Sequence, residues 1–319
     1  MTSHLIEVTD LKAYYKTPIG DVKAVNGVNF TLGEKEIFGI AGESGCGKTT
    51  LAKSVLGLLK PPGYIYGGKM LFKGTDLLSL DEESLREIRG SQISYIPQSS
   101  MNALNPVMRI LDQIKDMIRA HENWPKEKVE EKSMQLLKMV ALPERCSQMF
   151  PHQLSGGMKQ RAIIDIAIAL SPALLIADEP TTALDVVVQR AVLQVIAEIK
   201  EKIGSSIVLI THDMAVHAEV ADRMAIMYAG KIVEIGNAYD IFQNPLHPYT
   251  KALISSIPTI EERRKLTGLH GRPPNLIDPP SGCGFHPRCA FATERCKREN
   301  PVPREIKPGR TVACHLYGG

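Results

Sequence analysis

The sequence predicts an α/β fold organised around a largely parallel sheet, followed by a loop-rich C-terminal region. Three observations carry that prediction. Residues 36–41 form an apolar, strand-like run that ends in Gly42-Glu43-Ser44-Gly45-Cys46-Gly47-Lys48-Thr49, a glycine-rich loop of the form G-x-x-x-x-G-K-[ST]. Two further continuous apolar runs, residues 174–177 and 207–210, alternate with helical segments, as strands buried on both faces of a parallel sheet do. Beyond about residue 240 prolines become frequent (Pro245, Pro248, Pro258, Pro273, Pro274, Pro279, Pro280), and four of the six cysteines lie there.

Taken in order, residues 5–13 and 22–32 alternate apolar and polar positions, the pattern of half-buried strands, with a turn at 17–21 between them. Residues 48–56 predict a helix. Pro61-Pro62-Gly63 and Gly67-Gly68 break the chain before a short strand over 69–72. A helix is expected from about Asp81 to Arg89, because Asp81-Glu82-Glu83 suits the positive end of a helix. The strand at 93–96 then stops at Pro97. From about 101 to 149 apolar residues recur at helical spacing (Val129, Leu136, Leu137, Val140), which predicts a helical insertion. Residues 225–228 and 231–234, joined by Ala229-Gly230, predict a hairpin near the sheet edge. No internal repeat or low-complexity tract is present.

Composition narrows the function. A chain of 319 residues with 44% hydrophobic and 23% charged residues is an ordinary globular protein, large enough for one α/β core and an annex. A formal net charge of +3 gives no case for nucleic acid. The N-terminus lacks a basic region followed by an apolar stretch, so no signal peptide is expected. The longest apolar uncharged stretch, residues 166–177, is too short to span a bilayer and contains Pro172. A cytosolic protein is therefore expected, reaching a membrane only through a partner.

The motifs specify chemistry. Glycines in the 42–49 loop let successive N–H groups turn inward around phosphate oxygens; Lys48 can reach the β- and γ-phosphates, and the Thr49 hydroxyl can join a Mg²⁺ shell. The helix that follows points its positive end at the same phosphates. Residues 174–179 are a buried strand ending in Asp178 and Glu179, where Asp178 can help hold Mg²⁺ and Glu179 can orient an attacking water or take its proton. Ser155-Gly156-Gly157 opens a second helix with N–H groups and a hydroxyl free for an anion. Two anion-binding helix starts in one chain would be redundant on the same phosphates.

Together, these residues resemble the ATP-binding-cassette (ABC) ATPases, whose signature L-S-G-G-Q is Leu154-Ser155-Gly156-Gly157-Met158 here. The resemblance covers roughly residues 1–240. It implies that Gly42, Glu43, Ser44, Gly45, Cys46, Gly47, Lys48, Thr49 and Thr50 bind ATP, with Thr49, Gln98 and Asp178 at Mg²⁺. Gln98 matches the Q-loop glutamine, Thr182-Ala183-Leu184-Asp185 the D-loop and His212 the switch histidine, so Glu179, His212 and Gln98 are the implied catalytic set. Tyr15 sits where the family stacks an aromatic ring on adenine, with Tyr14 as its neighbour. The implied fold is a P-loop ABC-ATPase core with a mixed or parallel central sheet, a helical subdomain over about 100–155 and an antiparallel β-subdomain. A small, loop-rich, cysteine-containing C-terminal domain over 241–319 completes it. By the same resemblance two subunits close head to tail, with ATP between one subunit's phosphate loop and the other's Ser155, Gly156 and Gly157.

Residues 244–253 (N-P-L-H-P-Y-T-K-A-L) and 279–289 resemble the tail of the oligopeptide/dipeptide importer subfamily, which also includes oligosaccharide and nickel importers. This implies an ATPase on the cytoplasmic face of the membrane, peripheral to two transmembrane permease subunits and served indirectly by an extracytoplasmic solute-binding protein. The second ATPase subunit is a paralogue or a second copy, a paralogue being preferred. Cys283, Cys289, Cys296 and Cys314 are spaced C-x5-C-x6-C-x17-C, without the close pairs usual in zinc sites. Since relatives with such a tail carry a [4Fe–4S] cluster, iron–sulfur ranks first, zinc second and a disulfide third. His286 and His315 lie beside these cysteines and are expected to pack or face solvent. Two other functions compete. A soluble ABC ATPase acting on DNA or the ribosome lacks here its long coiled coil or second cassette. An electron-transfer role lacks a flavin or nicotinamide fingerprint.

Overall fold

A computed structural model describes residues 4–98, 103–257, 269 and 271–318. The first half of the chain runs β1 (Ile6–Thr17), β2 (Gly20–Leu32), β3 (Ile37–Ala41), α1 (Lys48–Val55), β4 (Gly63–Phe72), β5 (Thr75–Asp76), α2 (Glu82–Ile88), β6 (Ile93–Ile96), α3 (Ile110–Arg119) and α4 (Lys126–Met139). It continues through α5 (Gly156–Ile168), β7 (Leu174–Asp178), α6 (Val186–Ile203), β8 (Ser206–Ile210), α7 (Met214–Val220), β9 (Arg223–Tyr228) and β10 (Lys231–Asn237). The tail adds α8 (Ala238–Gln243), α9 (Pro248–Ser255), α10 (Glu294–Arg298), β11 (Arg304–Lys307) and β12 (Arg310–Val312). Contacts divide the chain into two compact units, one built from Met1–Gly33, Ile37–Ser79 and Ile210–Gly319, the other from Glu34–Glu36 and Leu80–Leu209.

The first unit holds an antiparallel sheet in the order β2-β1-β4-β5 and a mixed set of strands in the order β11-β12-β10-β9-β3, in which β3 and β9 are parallel. Tyr14 and Tyr15 are adjacent on β1, where the register against β2 slips between Ala13 and Tyr15. Gly67-Gly68, expected to interrupt the chain, instead lies inside β4, opposite the irregular stretch of β1 between Thr9 and Lys12. Glycine in a strand marks such a bulge as often as a break. The hairpin of β9 and β10 turns through Ala229 and Gly230, both at positive φ (47° and 78°), as a tight two-residue turn demands. It is not at the edge: β12 pairs with β10, Glu234 opposite Val312, and β11 pairs with β12. The tail therefore supplies two strands as well as loops.

Beneath β3 and β9 a core forms from Ala41, Met224, Ile226, Tyr228, Val233 and Ile241, and it also contains Tyr249 and Phe285 from the proline-rich tail. Burying side chains of this size stabilises by roughly 1.5–3 kcal/mol each. A buried ion pair ties the same region together. Arg310 on β12 donates to Glu234 on β10 at 2.6 Å and to the Asn244 carbonyl at 2.7 Å, while Glu234 accepts the Leu246 and His247 N–H groups, each at 2.9 Å.

The second unit packs helices α3, α4, α5 and α6 with strands in the order β8-β7-β6. β6 and β7 are parallel, and every residue of β7 and β8 is buried, as their continuous apolar sequence requires. In the 101–149 stretch, Val129, Leu136 and Leu137 are fully buried on α4, the helix that their spacing predicts, and Val140, fully buried too, caps its C-terminus. Residues 101–102 lie outside the described ones. Asp81 caps α2 by accepting the Ser84 N–H at 2.9 Å.

Candidate nucleotide site and cysteine-bearing tail

In the first unit β3 is buried throughout and delivers its last residue, Ala41, directly to the glycine-rich loop. Backbone sterics explain the glycines: a Cβ at Gly42 would stand 2.1 Å from the Met227 carbonyl oxygen, and one at Gly47 1.9 Å from that of Ala24, with both residues at positive φ. Lys48 is buried. Its ammonium donates to the carbonyls of Gly42 at 2.6 Å and Glu43 at 3.0 Å. Burial pushes the neighbouring Cys46 thiol up, an effect that Lys48 opposes. Ser44 and Gly45 are exposed, and Thr49 and Thr50 lie in the first turn of α1, whose first turn carries no acidic side chain.

Of the two adjacent tyrosines, Tyr15 is the one beside this loop, its hydroxyl 3.3 Å from Thr50 Oγ1. Tyr14 instead donates to Asn26 at 2.9 Å and stacks on Tyr66 at 4.9 Å between centroids. His212 follows β8 and is exposed.

The second unit carries the acidic and signature residues. Asp178 is fully buried at the end of β7 and accepts a hydrogen bond from Tyr95 of β6 at 3.1 Å. Burial, and then the Asp178 carboxylate, push the Tyr95 hydroxyl up, so it remains a neutral donor. Glu179 sits at φ 52°, and Thr182 Oγ1 donates to its carboxylate at 3.0 Å. A non-glycine residue in this left-handed region is strained and needs such support. Gln98 is exposed in a turn after β6, and residues 99–102 lie outside the described ones.

Ser155 caps α5, its hydroxyl accepting the Met158 N–H at 3.4 Å, and no acidic residue occupies the first turn. The helix end thus keeps its positive partial charge for an anion. Asp185 caps α6 in the same way, accepting the Val188 N–H at 3.0 Å. The signature helix and the start of α6 meet here: a Cβ on Gly157 would stand 2.3 Å from Val188 Cγ1. Sequence reading missed this contact because the two helix starts are 30 residues apart, and only the signature glycine hinted at a close approach.

In the tail, Cys283, Cys289, Cys296 and Cys314 are all half-buried and line one cavity of about 110 Å³, together with Phe285, Phe291 and Leu316. Burial, joined by the other three thiols, pushes Cys283 up to about 11. Burial raises Cys289 and Cys314 as well. All six cysteines are free thiols in the structure. Among the described residues no group of three or more His, Cys, Asp or Glu side chains is placed to hold a metal ion. His286 and His315 face backbone carbonyls, of Cys283 and Glu299 respectively, each at 2.9 Å.

Among the described residues no helix is long and apolar enough to cross a membrane. Residues 25–182 match the ABC transporter family, and residues 233–296 match the oligopeptide/dipeptide transporter C-terminal region. The chain is 43% identical to a dipeptide transport ATP-binding protein, DppD, of Caldanaerobacter subterraneus subsp. tengcongensis, over 99% of this chain and 98% of that one. It is 44% identical to the oligopeptide transport ATP-binding protein OppD of Escherichia coli, over 97% of this chain and 92% of that one. Among solved structures, the ATP-binding cassette MJ0796, a dimer in a post-hydrolysis state bound to ADP and Pi, is similar with a TM-score of 0.66 and 27% identity. That similarity covers 73% of this chain and 98% of the cassette. Phosphate loop, strand-end carboxylates, signature helix and tail therefore have one common explanation: the chain belongs to the ABC transporter ATPases, in the oligopeptide/dipeptide branch of that family.

Proposed function

We propose that the chain is the ATP-hydrolysing subunit that energises uptake of di- or oligopeptides, or related solutes, by closing an ATPase pair coupled to membrane permeases. The supporting observation is a conjunction. One chain holds a phosphate loop, the strand-end pair Asp178-Glu179 and a capped signature helix, and it aligns over 97–99% of its length with dipeptide and oligopeptide transport ATP-binding proteins.

Each residue then has a role. Amides of residues 42–47, with Lys48, receive the β- and γ-phosphates, and Tyr15 stacks on adenine. Thr49, Gln98 and Asp178 offer the hard oxygen donors that Mg²⁺ prefers, and the Tyr95 hydroxyl holds the Asp178 side chain in place. Bound Mg²⁺ would offset charge on the transferred phosphoryl group. Glu179, steadied by Thr182, orients water and takes its proton, while His212 faces the γ-phosphate. Ser155, Gly156, Gly157 and Asp185 complete the site of the second ATPase subunit, which we take to be a paralogue. Two permeases hold the pair at the cytoplasmic face of the membrane, and a solute-binding protein delivers the cargo to them.

For the tail we favour a [4Fe–4S] cluster over zinc. Four thiols line one cavity, and their spacing lacks the close pairs usual in zinc sites. Iron and sulfide analysis of anaerobically purified protein should give about four of each per chain; one zinc and no iron would overturn this assignment. The transport reading is tested by Glu179→Gln in vesicles that lack a paralogue able to compensate. ATP should still bind while ATP-dependent peptide uptake is lost, and undiminished uptake would refute the mechanism.

A further inference from the structure

Glu43 is the second residue of the phosphate loop, and the tail grips it twice. Its backbone N–H donates to Tyr249 Oη at 2.8 Å. Its carboxylate receives both arms of the Arg288 guanidinium, Nη1 to Oε2 at 2.6 Å and Nη2 to Oε1 at 2.9 Å. Arg288 is held in turn: its side chain is only 4% exposed, and the guanidinium lies 5.8 Å from the Tyr228 ring centroid. A bidentate, walled-in pair of this kind has little freedom to lose, unlike an exposed one.

Two consequences follow for the loop. A carboxylate beside an anion-binding loop repels phosphate unless it is neutralised, and Arg288 is the cation that neutralises it. The Glu43 carbonyl also accepts the Lys48 ammonium at 3.0 Å, so fixing Glu43 fixes one of the two carbonyls that aim Lys48. Arg288 itself ends a short helical turn, His286–Arg288, whose next residue is Cys289.

We propose that Arg288 and Tyr249 are positioning residues of the triphosphate site, through which the cysteine-bearing tail sets the affinity of the phosphate loop. The inference rests on the ATP-binding reading above. It makes the tail a part of the nucleotide site.

Equilibrium binding of a fluorescent ATP analogue to the full chain tests it, with Lys48→Ala as the reference for a disabled site. Arg288→Met should raise Kd by about tenfold, the effect expected when one unit charge near the triphosphate is left unpaired. Tyr249→Phe, which keeps the ring in its core, should raise Kd severalfold. Glu43→Gln combined with Arg288→Met should return most of the affinity, because the repelling charge is gone. Wild-type Kd in both single variants would overturn the inference, as would a double variant no better than Arg288→Met. Failure of the wild-type chain to bind the analogue at all would instead refute the ATP-binding reading itself.

Discussion

Arg310→Met is the most informative single perturbation of the fold. In the native chain Glu234 and Arg310 are 1% and 3% exposed and share a 2.6 Å bond. Methionine keeps the aliphatic stem and removes the charge, so the Glu234 carboxylate stays buried with only the Leu246 and His247 amides, at 2.9 Å each, to offset it. Breaking a buried pair by deleting one partner costs about 3–5 kcal/mol, a large share of the roughly 5–15 kcal/mol that stabilises a domain. At about 2–3 °C per kcal/mol for a chain of this size, the melting temperature should fall by about 6–15 °C. Circular dichroism is the right probe, because the single tryptophan is Trp124, in the other compact unit.

The second half of the experiment is Glu234→Gln added to Arg310→Met. Removing both charges should recover most of the loss, since a neutral pair no longer leaves an uncompensated ion. A single variant within about 1 kcal/mol of wild type would refute the reasoning, because surface pairs give that much. A double variant as unstable as the single one would show that Arg310 acts by packing and by its bond to the Asn244 carbonyl, not by neutralising Glu234.

Two further outcomes are expected. Gly157→Val forces a side chain into the space of Val188 Cγ1, 2.3 Å from the built Cβ, and so displaces the start of α6 with Asp185; ATP hydrolysis should fall by at least about tenfold while ATP-analogue Kd of the isolated chain stays unchanged, and unimpaired hydrolysis would refute the role given to that contact. Asp165 on α5 is fully buried, neither carboxylate oxygen has a hydrogen-bond partner, and burial raises its carboxyl well above the usual range. The folded chain then holds a proton that the unfolded chain releases above about 3.8, so stability falls as pH rises through that window, by up to about 1.4 kcal/mol per unit. Urea unfolding should therefore show Asp165→Ala gaining on wild type as pH rises above about 3.8, and a pH-independent difference would contradict the burial argument.

Local signals were legible and long-range ones were not. The apolar runs at 174–177 and 207–210 could be read as buried strands because nothing polar interrupts them, and the α4 core positions followed from spacing alone. β11 was invisible for the opposite reason: all four of its residues are exposed and three are charged, so it has neither alternation nor an apolar face. Edge strands are commonly built this way, which protects them from pairing with other chains. Glu43 and Arg288 are 245 residues apart, and no periodicity connects them. The loop motif leaves position 43 free, so its sequence says nothing of a partner. The nucleotide residues proposed here could be named from sequence because phosphate chemistry dictates residue type at fixed spacing. The residues that hold the loop in place are set by tertiary packing, which dictates only size and charge.

That division bears on what the tail is for. Phe285 and Tyr249 pack in the same core as Ala41, the residue immediately before the loop, and Tyr228 lies between the two elements at 4.6 Å from Tyr249 and 5.2 Å from Phe285, centroid to centroid. A proline-rich segment with few apolar residues of its own gains order by borrowing this core. If the tail sets loop affinity, linkage makes the effect mutual: a ligand that binds the loop tightens the tail by the same factor. At a ligand concentration 100 times Kd the folded form gains about 2.7 kcal/mol, and the clamp passes on to the tail whatever share depends on Glu43 being held. If so, Cys289, one residue along the chain from the side chain that grips the loop, would be held more firmly when nucleotide is bound, and with it the cavity that the four thiols line.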